Sequence, residues 1–267
     1  AFMQADVVAA RGFLRRPGLV IWATIWTSII IPGLFGLFLR FIGLDISEPE
    51  LFIALMLQAV ASPIMSAPAL AMIMGLESTN VLIILFFSTA LVPLTAPLFT
   101  LVFVGSALSI TSVDLASRLF LILAGSAAAG IIIRKVAGGK AIARNNEAIN
   151  GFNIVILFFF VAAVMESVGG KILADPATTF RFMIIAFAVF FAVMALSSPV
   201  FLFAGRKRAL SIGLMSSQRN MALMLAATGS TLPDLAWLYF AFAQFPLFLS
   251  PQLLTPLIRR LLKDDSQ

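Results

Sequence analysis

Apolar residues fall into eight blocks along the chain, each near the ~20 residues a helix needs to cross a bilayer. The blocks cover positions 18–39, 51–74, 81–104, 115–133, 149–168, 180–204, 211–229 and 235–257. They predict an all-α polytopic membrane protein with eight spans. Two blocks are interrupted by polar or helix-breaking residues. The second contains Ser62-Pro63 and Ser66-Ala67-Pro68, and the seventh carries Ser216-Ser217-Gln218-Arg219-Asn220 at its middle. An arginine near a bilayer centre costs roughly 2.5–3.5 kcal/mol on insertion scales. Freed backbone groups at that depth must also find partners. Both blocks are therefore expected to be broken helices, over 51–74 and 209–229.

Each interrupted block is the middle member of a triplet, and the fourth and fifth blocks lie between the triplets. By alternation, the first triplet starts on the cytoplasmic side and the second on the outer side. Such a pair points to an inverted-repeat transporter fold. The expected organisation is a cytoplasmic loop over 1–17, core helices over 18–104, a panel over 115–168 and a second core set over 180–262. If the repeat unit is two helices plus a triplet, two more helices precede residue 1. The eight spans then belong to a fold of ten.

Charge orients this arrangement. Basic residues gather at 134–144, at Arg206-Lys207-Arg208 and after Leu257, which alternation places on one side of the membrane. Basic loops mark the cytoplasmic face, so both chain ends are expected there, in an inner (plasma) membrane. The net charge of +6 then needs no nucleic-acid partner. Composition agrees, with 61% hydrophobic and 11% charged residues and a mean hydropathy of +1.07. A soluble domain is nearer half apolar and a quarter charged. Cysteine and histidine are absent, which removes thiolate chemistry, the commonest metal ligand and the usual general base. No enzyme activity, metal or cofactor is expected.

The polar interruptions supply the candidate site. Arg219 has three readings: an internal cation facing helix ends, a contact for an anionic solute, or a snorkelling side chain. Roughly 11 residues, or about 16 Å of helix, separate it from Arg208, which counts against snorkelling. Gln218 and Asn220 either meet a solute or satisfy carbonyls freed by the break, and Ser217 joins them. Ser66 and Ser62 suit caps of half-helices or ligands, and Gln58 lies one turn earlier. Glu166, the one acid inside the fifth block, is either interfacial or a proton-coupling group. Glu77 and Glu147 are expected to be solvated, and Trp22, Trp26 and Trp237 to sit in interfacial belts. The small residues of 125–130 suit close helix contact.

At the two interruptions the sequence resembles the bile acid:sodium symporter family and its wider superfamily. The resemblance rests on Ser62 through Ala69, on Asn80-Val81 through Ser88-Thr89 to Thr100, on Ser217-Gln218-Arg219-Asn220, and on Arg15-Arg16-Pro17. It implies ten helices in two inverted five-helix repeats, with a core domain around crossing broken helices and a panel domain beside it. It also implies that Ser88 and Thr89 keep hydroxyls used near the ion sites, and that Gln218 is retained. This sequence departs from the family's sodium ligands. Pro68 and Ala69 stand where a Ser-Asn pair is expected, and Leu214 stands for a glutamate. Sodium coupling is left open.

Three functions remain. The first is a secondary transporter of a small organic anion working by alternating access, as a monomer or homodimer in a lipid bilayer. The second is a membrane enzyme, against which stands the lack of histidine, cysteine or paired carboxylates within the spans. The third is a channel or sensor on a transporter fold.

Overall fold

A computed structural model of the chain describes residues 17–263, apart from 146–147, 150, 153–154, 157–158, 160–161, 163–168 and 171–173. The candidate Glu166, with Glu147, most of the fifth block and the 1–16 segment, lies outside the described residues.

Helix α1, Pro17–Phe41, carries a π-helical turn over Trp26–Ile30. Pro32 explains this turn. Proline has no amide to give and its ring collides with the carbonyl four residues back, so the ladder widens before it. The second block folds as two short helices, α2 (Pro49–Val60) and α3 (Ala67–Ile73), with Ala61 turning into extended backbone between them. Helix α4, Ser78–Phe99, continues as a π turn to Val104, and α5 spans Ser112–Ala137. Helix α6 is Pro176–Val200, capped by Asp175, whose side chain accepts from the Thr178 amide at 3.0 Å. Hydrogen bonds from Thr178 hold the Asp175 carboxyl below its ordinary pKa. The cap therefore stabilises at neutral pH, and that contribution fades as pH falls through the lowered value.

The seventh block is also split, into α7 (Arg206–Ser217) and α8 (Met221–Thr228). Helix α9, Asp234–Lys263, completes the described chain and holds Pro246, Pro251 and Pro256. Five helices among the described residues, α1, α4 with its π turn, α5, α6 and α9, are long and apolar enough to cross a membrane. The two interrupted blocks fall below that length because each is a pair of half-helices.

Apolar packing divides at the breaks. One cluster joins α2 and α8 with the first half of α9, including Leu55, Met56, Met224 and Phe240. The other joins α3 and α7 with α1 and the second half of α9, including Ala71, Ile212, Met215 and Leu254. The half-helices thus meet across a polar waist, where the two interrupted segments run antiparallel.

Two expectations are corrected at the periphery. Trp26 is not interfacial: it is 7% exposed, and its indole donates to Ser197 Oγ at 3.0 Å. Glu77 is not simply solvated. Its Oε2 lies 2.7 Å from Arg208 Nε, and its amide donates to Ser211 Oγ at 2.9 Å. This links the loop after α3 to the start of α7. At Gly125 an added Cβ would have no neighbour within 4 Å, whereas Gly130 of the same small-residue run is buried.

Candidate functional site

The waist is built from main chain first. The Ile64 amide donates to Gln218 O and the Asn220 amide to Ser62 O, each at 2.8 Å. These bonds pair Pro63 with Arg219 in an antiparallel bridge. A proline at 63 suits this register, since a bridge residue that faces away from its partner needs no donor. The two breaks therefore satisfy each other's amides, as backbone at membrane depth requires.

Arg219 lies at the centre and is 4% exposed. Its Nη1 donates to Ala61 O at 2.9 Å and to Thr27 O at 3.1 Å. Its Nη2 is buried and has no hydrogen-bond partner among the described residues. No described carboxylate pairs with it; ion pairs lie elsewhere, among them Arg40–Asp45, Arg181–Glu48 and Arg208–Glu77. The snorkelling reading of Arg219 is thereby corrected: the side chain is held inward by carbonyls of α1 and of the first break.

Gln218 is fully buried, and its Nε2 donates to Ser250 Oγ of α9 at 3.1 Å. Its Oε1 is buried with no hydrogen-bond partner among the described residues. Asn220 Oδ1 accepts from the Leu223 amide at 3.1 Å, so this side chain caps α8. Ser217 Oγ donates back to Leu214 O at 2.7 Å within its own helix. Ser66 makes no cap bond, and the Ser62 and Ser66 hydroxyls are buried without hydrogen-bond partners among the described residues. This corrects the expectation that they cap half-helices. Ser88 and Thr89 on α4 are buried, and their hydroxyls have no hydrogen-bond partner among the described residues.

Gln58 faces α9, where its Oε1 accepts from the Tyr239 hydroxyl. Both are buried. Tyr239→Phe is expected to cost about 1–3 kcal/mol, because it strands a buried acceptor. Pairing it with Gln58→Leu should recover most of that loss in thermal unfolding. A loss that persists in the double variant would show that packing, not the hydrogen bond, dominates.

Thr27, Ser250 and Tyr239 were not among the sequence candidates. For Thr27 the sequence holds only half a signal: Pro32 would orphan the carbonyl four residues back, at Ser28, and it is the π turn that shifts the missing donor to Thr27. Ser250 and Tyr239 look like ordinary span residues until the fold brings them to the waist. A cavity of about 420 Å³ lies away from the crossing, between Glu77 and residues 204–208 at the start of α7.

No family model matches the chain, and no curated protein matches it.

Proposed function

We propose that the protein is a secondary transporter of a small organic anion, built as an inverted-repeat membrane fold and working by alternating access. The observation that carries this reading is the buried crossing of two interrupted helices around a guanidinium with no carboxylate partner among the described residues. Broken helices at mid-depth are how many transporters present polar groups to a solute inside lipid. Arg219 Nη2 supplies the donor edge for a carboxylate or sulfonate, and a guanidinium binds such groups with a planar fork. Eight spans of a ten-helix fold, with α5 and the fifth block as panel, fit the two oppositely running triplets. The basic loops favour an inner (plasma) membrane with the described chain's ends on the cytoplasmic side.

Transport on this reading does not use the sodium ligands of the family the sequence resembles. Pro68, Ala69 and Leu214 offer no side-chain oxygen, and sodium, like calcium and magnesium, prefers oxygen. Initial uptake of the carried anion into proteoliposomes is expected to be unchanged when sodium is replaced by choline. A steep sodium dependence would overturn the coupling assignment. Absence of uptake for every organic anion in a broad panel, with correctly inserted protein, would overturn transport itself.

A further inference from the structure

Two main-chain carbonyls from separate elements converge on one nitrogen of Arg219. Each has lost its helical donor for a reason written in the chain. In the π turn of α1, the Ile31 amide goes to Trp26 O. The next residue, which would serve Thr27 O in that register, is Pro32 and has no amide. Ala61 stands at the end of α2 with ψ 149°, so its carbonyl leaves the helix just where the ladder stops. It is also at the negative end of the α2 dipole. The result is a pair of convergent carbonyl oxygens, the kind of donor that takes a cation. No described carboxylate contributes to it.

We infer that the crossing is a main-chain cation site filled by the chain's own guanidinium, so that removing the Arg219 side chain opens it to a small guanidinium-type cation. The tether makes the cation permanent. It locks α1, the first break and the second break together without an ion from solution. The ligation stands on its own distances. Only its consequence, a transport cycle that needs no inorganic cation at this point, rests on the function proposed above.

The test is thermal unfolding of the full chain purified in detergent. Arg219→Ala is expected to melt several degrees below wild type. Millimolar methylguanidinium should raise that melting temperature saturably by a few degrees, as binding to the folded state does. The wild type should show no saturable rise, and neither protein should respond when sodium replaces choline at equal ionic strength. A variant as stable as wild type, or one that methylguanidinium does not raise, would overturn the proposal. So would an equal rise in wild type. Arg219→Lys and Arg219→Met give a second comparison that does not depend on the alanine variant folding. They are similar in length but only lysine carries charge. Lysine should melt above methionine; the reverse order would mean that the side chain serves as packing. These readouts do not involve transport, so failed uptake with successful rescue would sink only the function proposed above.

Discussion

Uptake of the carried anion is expected to fall about tenfold in Arg219→Lys and a hundredfold or more in Arg219→Gln, measured as initial rates in proteoliposomes. On the function proposed above the guanidinium has two tasks, one at each terminal nitrogen. Nη1 bonds Ala61 O and Thr27 O, while Nη2 is left over. Lysine can reach the carbonyls as a point charge, but it lacks a second rigid donor edge for an anion. Losing one charge-assisted hydrogen bond of about 1.5 kcal/mol corresponds to roughly a tenfold change. Glutamine removes the charge altogether and leaves buried carbonyls competing for one amide. Wild-type rates in both variants would remove Arg219 from the solute site, whatever its structural part.

The second large effect is expected where α6 and α7 touch. A Cβ added to Gly213 would lie 2.1 Å from Ser198 Oγ and 3.1 Å from Met194 O. The hydroxyl can rotate away, but the carbonyl belongs to helix backbone. Gly213→Ala should therefore destabilise by about 1–3 kcal/mol through overpacking. The sign is diagnostic. At an unconstrained helix position, alanine would gain up to about 1 kcal/mol over glycine. Gly213 also lies just before the break at Gln218, so a displaced α7 should move the waist. Combining it with Ser198→Gly should recover part of the loss in melting experiments. A stabilised single variant would mean that the two helices are not so closely apposed.

These two residues differ in how far the sequence announces them. Arg219 stands out in any reading, because a charge amid apolar residues is conspicuous where water is scarce. Gly213 does not, since one glycine in an apolar run carries no mark of what lies opposite. The same contrast runs through the site. Asn220 is polar and stands beside a break, and it does cap α8. Ser62 and Ser66 carry the same local signal yet make no cap: Pro68, in the first turn of α3, has no amide to give the Ser66 hydroxyl.

Run length and composition alone require that the described chain be helical, with several helices long and apolar enough for a membrane, and that the second and seventh blocks be broken. Those properties follow from local physics: apolar run length, missing proline amides and the cost of burying polar groups. Only the tertiary structure decided which partner each freed group finds. Arg219 meets carbonyls 158 and 192 positions away, and Tyr239 meets Gln58 across 181. A residue's own neighbours specify what it must satisfy, but a contact at that separation depends on how every intervening helix packs.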